Sequence, residues 1–219
     1  MIRKIGFVHT NVPIANLFKQ LVAEHLSEVQ TFHIVDDSLI QDILQVGEMT
    51  PAILKRLSAQ MILAREAGAD LIMCTCSSMS PGVDVARKLV DVPVLKVDDP
   101  MAEKAVEMAN TVGVLATAKS TFIPSTELIK SWAEQKGRSV RVEGVLCEEA
   151  FDFFFRGDMK AYDDLIKEEG LKLASKVDVL VLAQASMSHL ANEIEMASKK
   201  PVLTSPRLAI EALKALLKQ

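Results

Sequence analysis

The chain repeats itself, and that constrains its fold more than any other feature. Asp70 to Ser80 (DLIMCTCSSMS) aligns with Asp178 to Ser188 (DVLVLAQASMS) at a shift of 178 − 70 = 108 residues, sharing an Asp, an apolar run and a closing Ser-Met-Ser. The same shift sets Pro93-Val94-Leu95 over Pro201-Val202-Leu203. A shift of 113 − 6 = 107 sets Ile5-Gly6-Phe7-Val8-His9-Thr10 over Val112-Gly113-Val114-Leu115-Ala116-Thr117. Three segments that agree in order and spacing are hard to obtain by chance, so the expectation is a duplication: two copies of one unit with a pseudo-twofold relation, burying equivalent faces so that equivalent loops oppose one another.

What repeats is a strand-then-helix pattern. Short apolar runs predict strands at Lys4 to Val8, Gln30 to Val35, Asp70 to Met73, Val92 to Leu95, Thr111 to Leu115, Val140 to Gly144, Asp178 to Leu182 and Pro201 to Leu203. These runs are mostly continuous rather than alternating, which suits mostly parallel sheets covered by helices on both faces. Between them, Ile53, Leu54, Leu57, Met61 and Ala64 mark one face of a helix that starts at Thr50-Pro51. Similar starts, an oxygen side chain to cap followed by Pro in the first turn, stand at Ser80-Pro81, Asp99-Pro100 and Ser205-Pro206. The fold class expected is α/β: two pseudo-symmetric βαβ domains with the site in the cleft between them. The first comprises residues 1–97 plus 206–219, the second residues 98–205.

Composition narrows the function. A formal net charge of −4 with no basic block leaves no footprint for nucleic acid or a membrane surface. No apolar run reaches the roughly 18 to 20 residues of a spanning helix. Three cysteines, Cys74, Cys76 and Cys147, make neither a disulfide framework nor a zinc spacing, and no signal peptide opens the chain. A cytoplasmic protein is the expectation. The first strand leads into His-Thr-Asn-Val-Pro rather than Gly-x-Gly-x-x-Gly, so no dinucleotide site is expected, and neither metal nor organic cofactor. The partner expected is a small molecule, bound by a homo-oligomer, dimer or higher.

In parallel sheets ligands sit beyond the carboxyl ends of the strands, where loops run into helix amino termini. The loops there are the ones that repeat: His9-Thr10, Cys76-Ser77-Ser78, Thr117 to Thr121, and Gln184-Ala185-Ser186. Cys76 pairs with Gln184 and Ser78 with Ser186. His9 either orients or activates Cys76, an adjacent imidazole being one means of lowering a thiol pKa, or is a structural hydrogen-bonder. Gln184 either binds substrate or fills the place of a lost cysteine. Ser77, Ser78 and Ser186 serve as caps, as anion contacts, or as both. Cys74 and Cys147 read as packing. His25 and His33 read as structural, and His189 is a weaker site candidate. Phe151, Phe153, Phe154 and Phe155 read as core at a domain or subunit contact, the alternative being a pocket wall.

These segments resemble the cofactor-independent aspartate/glutamate racemase superfamily, which includes hydantoin racemases, maleate isomerases and arylmalonate decarboxylases. Cys76-Ser77-Ser78 after Leu71-Ile72-Met73 resembles the family's first cysteine motif, and Gly113 to Thr117 with Ser120 and Thr121 resembles its Gly-Val-Leu-Ala-Thr strand. The second cysteine motif is represented by Leu182-Ala183-Gln184-Ala185-Ser186-Met187, without its thiol. The resemblance implies two pseudo-symmetric α/β domains sharing one site. Cys76, Gln184 and His9 then stand at the catalytic positions, and Thr10, Ser77, Ser78, Thr117, Ser120, Thr121, Ala185 and Ser186 hold a small carboxylate or amino-acid-like substrate.

Two-base racemisation needs a proton exchanger on each side of the carbon, and an amide has no proton to exchange. The expectation is therefore isomerase-type chemistry next to a carboxylate with Cys76 as single thiol acid/base or nucleophile. A one-thiol decarboxylase and a non-catalytic carboxylate binder are the alternatives.

Overall fold

The computed structural model describes residues 2–218. It divides into two compact units, Met1–Val97 with Ala209–Gln219, and Asp98–Leu208. In the first unit β1 (Lys4–His9), β2 (Gln30–Val35), β3 (Leu71–Cys74) and β4 (Val94–Lys96) form a wholly parallel sheet in the order β2-β1-β3-β4. In the second, β5 (Thr111–Ala116), β6 (Arg141–Leu146), β7 (Val179–Leu182) and β8 (Val202–Thr204) repeat it as β6-β5-β7-β8.

The repeat extends to register. Ile5 pairs with Leu71 as Val112 pairs with Val179, and Ile72 pairs with Val94 as Leu180 pairs with Val202. The shared Asp has a visible purpose. The carboxylate of Asp70 accepts from the backbone N–H groups of Arg3 (2.8 Å) and Lys4 (3.0 Å), and that of Asp178 accepts from Asn110 (3.1 Å) and Thr111 (2.8 Å). Each ties the start of a central strand to the strand beside it. The shared Gly is explained by close approach: a Cβ on Gly113 would lie 3.0 Å from both Leu173 and Val177, and one on Gly6 2.9 Å from Phe32.

Helices cover both faces of each sheet, as continuous apolar strands require. In the first unit α1 (Val12–His25) and α10 (Ser205–Leu217) bury Phe18, Val22, Ala209, Ile210 and Leu213 against Ile5, Phe7, Leu71 and Met73. On the other face α2 (Ser38–Val46), α3 (Pro51–Glu66) and α4 (Ser80–Ala86) bury Leu39, Ile43, Leu57, Met61 and Val83 against Val8, Ile72 and Cys74. In the second unit α5 (Asp99–Met108) and α6 (Lys119–Gln135) cover Val112, Val114 and Val181. α8 (Met159–Ala174) and α9 (Ala191–Ser198) cover Leu115, Leu180 and Leu182, and α7 (Glu148–Arg156) adds Ala150 to that cluster. Among the described residues no helix is long and apolar enough to cross a membrane.

Several local expectations need correction. Thr50 does cap α3, accepting from the Ile53 N–H. Ser80, Asp99 and Ser205 cap nothing from outside, because each is already the first helical residue; the preceding Met79 and Asp98 adopt helical angles and make no side-chain cap. The caps made elsewhere are Asn11 on α1 and Asp158 on α8. In the phenylalanine run Phe153 is half-buried and packs against the cluster that holds Ala150, while Phe154 and Phe155 are exposed, Phe155 to 65%.

Candidate active site

In the first unit the register brings the ends of β1, β3 and β4 to one sheet edge, with His9 beside Val35 and Cys74 beside Val8 and Lys96. Cys74 is still inside the sheet, buried in the apolar cluster with Val8, Leu57 and Met61. Cys76 is the first residue past it that is only half-buried, and no disulfide engages any of the three cysteines. It opens a single 3-10 turn, Ser77–Met79, closed by the Met79 N–H donating to the Cys76 carbonyl at 3.0 Å, and the chain passes directly into α4. The thiol therefore sits at the amino end of helical structure, where negative charge on sulfur is favoured. Ser77 and Ser78 are buried in that turn. Cys147, at the head of α7, is buried, and burial pushes its thiol pKa up.

His9 is fully buried, and both its ring nitrogens are engaged: Nδ1 with the Thr75 hydroxyl at 2.7 Å and Nε2 with Nδ1 of His33 at 2.8 Å. Burial, the neighbouring His33 and the charge of Lys19 lower its pKa to about 3, so at neutral pH it is an uncharged ring. Thr10 is buried at the strand end, and Asn11 after it caps α1 by accepting from the Ile14 N–H at 2.8 Å.

The second unit holds the matching edge. Gln184 stands where the first unit has Cys76, with the Met187 N–H closing the same turn on its carbonyl at 3.0 Å. Its side-chain oxygen accepts twice from Thr117, from the backbone N–H at 2.6 Å and from the hydroxyl at 2.9 Å. A backbone N–H can only donate, so the atom facing it is the oxygen, and this settles which way the carboxamide points. Among the described residues the Gln184 NH₂ donates to none. Ser186 shares a 3.0 Å hydrogen bond with the phenol of Tyr162, which is buried on α8 and pushed up to about 12 by that burial. Ala185 accepts at its carbonyl from the Ser188 hydroxyl at 2.7 Å. Ser120 and Thr121 are buried in the first turn of α6.

His189, in the same Ala185–Leu190 segment as Ser186, is half exposed and paired with Asp163 at 2.9 Å. Two polar residues of these edges were not singled out from the sequence, Thr75 and Tyr162, while His33, read as structural, proves to be the partner of His9. Tyr162 is the chain's only tyrosine, and that scarcity was the one signal available for it. Among the described residues no group of three or more His, Cys, Asp or Glu side chains is placed to hold a metal ion.

A family model described as Asp/Glu/hydantoin racemase matches residues 5–213. No curated protein matches in sequence. Among solved structures, a glutamate racemase from Bacillus anthracis is similar with a TM-score of 0.74 at 16% identity, over 99% of this chain and 82% of that one. The aspartate racemase of Picrophilus torridus gives 0.73 at 17% identity, over 97% and 94%. An allantoin racemase from Klebsiella pneumoniae gives 0.62 at 16%, over 99% and 88%. At such identities the likeness is one of fold.

Proposed function

The chain belongs to the Asp/Glu/hydantoin racemase family, and from that premise we propose that it is a cofactor-independent enzyme acting at the carbon next to a carboxylate of a small acid, with Cys76 as its single thiol acid/base or nucleophile. Gln184 serves the same substrate as a hydrogen-bond donor rather than as a second proton exchanger. The observation that carries this reading is the direction of the Gln184 carboxamide. With its oxygen held by Thr117, the group offers only N–H donors to a ligand, which suits a carboxylate or an enediolate oxygen.

One-thiol chemistry is consistent with that division of labour. In isomerisation or racemisation Cys76 would exchange the α-proton from one face, and any second exchanger is a group other than Gln184. In decarboxylation the bond to a carboxylate breaks, carbon dioxide leaves, and the resulting enediolate takes a proton from the Cys76 thiol, which recovers one from water. Thr10, Thr117, Ser77, Ser78, Ser120, Thr121, Ala185 and Ser186 are proposed to hold the acid. The neutral state of His9 argues against its acting as an imidazolium beside the thiolate.

The test is the pH dependence of Cys76 alkylation, with Cys76→Ser as the background and a panel of small dicarboxylates as protectants. The expected result is a thiolate titrating below the usual value of about 8.5 and shielded by one acid, which then defines the compounds to assay for racemisation, isomerisation and decarboxylation. A Cys76 that stays unreactive and unshielded would remove the catalytic reading and leave a carboxylate-binding protein.

A further inference from the structure

We propose that His33 and Thr75 are positioning residues for Cys76, joined through His9 in a hydrogen-bond chain of fixed direction that ends one peptide before the thiol. The proposal rests on Cys76 being the reactive group of the preceding section.

The direction follows from the last acceptor. The Val8 carbonyl can only accept, and it takes both the Thr75 N–H at 3.0 Å and the Thr75 hydroxyl at 3.2 Å. With its proton directed there, the Thr75 oxygen accepts from His9 Nδ1–H at 2.7 Å. His9 Nε2 is then bare and accepts from His33 Nδ1–H at 2.8 Å. His9 is therefore the neutral Nδ1–H tautomer, and His33 carries its proton on Nδ1. The geometry holds them in place: the His9 and His33 rings lie nearly coplanar, with centroids 5.1 Å apart at 15°, and His33 lies against Phe7 at 5.1 Å and 12°. Phe18 of α1 closes over His9 at 5.9 Å. Lys19 on the same helix adds positive charge that, with burial, disfavours protonation of either ring.

The chain reaches Cys76 through the backbone. Side chains alternate along extended chain, so Thr75 points with His9 toward the α1 face, whereas Cys76 packs partly against the opposite cluster with Cys74 and Met79. Anchoring the Thr75 side chain and N–H to β1 removes rotation from the peptide that leads into Cys76, and so fixes where the sulfur stands at the start of its turn. Nothing in this arrangement asks either imidazole to exchange a proton with substrate.

The experiment uses the full chain with two disrupting variants, Thr75→Val and His33→Phe, and two restoring ones, Thr75→Ser and His33→Asn, the asparagine amide replacing the Nδ1–H donor. Imidazole ¹⁵N shifts report the tautomers, urea melts report stability, and Cys76 alkylation against pH reports the thiol. The expected result is Nδ1–H in both rings. The alkylation midpoint should rise by roughly half a unit in the disrupting variants, the scale of a misplaced helix-end contact, and return in the restoring ones. An Nε2–H tautomer on His9, or disrupting variants that lose stability but keep the wild-type midpoint, overturns the proposal and leaves Cys76 chemistry standing. A wild-type Cys76 that never alkylates overturns both.

Discussion

Replacing Gln184 with Glu changes almost nothing in shape and reverses what the side chain offers. One carboxylate oxygen can still accept from the Thr117 N–H and hydroxyl, now at 2.6 and 2.9 Å, so the edge of the second unit keeps its internal contacts. Where the NH₂ stood there is now a second oxygen. A bound carboxylate then loses a charge-assisted hydrogen bond of about 1.5 to 3 kcal/mol. It also meets a like charge, worth about 4 kcal/mol at 4 Å in a partly solvated site before screening by salt. Taking only about 3 kcal/mol of the total predicts roughly 100-fold weaker binding of the protecting acid. The assay is the acid concentration needed to halve the Cys76 alkylation rate, with a urea melt beside it, where the difference from wild type should stay within about 0.5 kcal/mol. Unchanged protection in a normally stable Gln184→Glu protein would show that Gln184 does not face the ligand.

Two further outcomes are expected. Gly113→Ala drives a Cβ to 3.0 Å from Leu173 and Val177, both closely packed, and should cost about 1 to 3 kcal/mol in urea unfolding, with an unperturbed melt arguing against the packing described. Because Tyr162 is the only tyrosine, phenolate absorbance reports it alone, and folded protein should titrate near its raised value of about 12. Since the folded pKa lies above the unfolded one of about 10, the contribution of this phenol to stability is complete below pH 10 and is lost as pH rises toward 12. A folded-state midpoint near 10 would contradict its burial.

Much of the architecture was legible because the determinants are local or repeated. Asp70 and Asp178 share a purpose, and so do Gly6 and Gly113, so the duplication implied two equivalent sheets, while their strand order came from the structure. Cys76 and Gln184 could be paired from the alignment alone. Capping was less legible: Ser80-Pro81 and Ser205-Pro206 look like helix starts, but the preceding turn or strand leads straight into the helix, so the hydroxyl falls inside it. The partner of His9 was out of reach, since His33 is 24 residues away and meets it only through the β1–β2 register that sets Phe7 beside His33 and leaves His9 on the diagonal. Nor does a cluster of phenylalanines by itself distinguish core from surface, and α7 shows Phe155 to solvent.

The placement of α5 and α10 bears on how such a chain arose. α5 follows the strands of the first repeat yet packs on the second sheet, and α10 follows the strands of the second repeat yet completes the core around Phe18 and Leu71. A lone ancestral repeat built to this plan would have had one sheet face covered by a single helix only and another helix without a seat. Two copies exchanging that helix would close both cores at once, as in a domain-swapped dimer. Joining the copies end to end would turn an association that depends on concentration into an intramolecular one. The two strand-end loops can then differ, and here one carries the Cys76 thiol and the other the Gln184 amide.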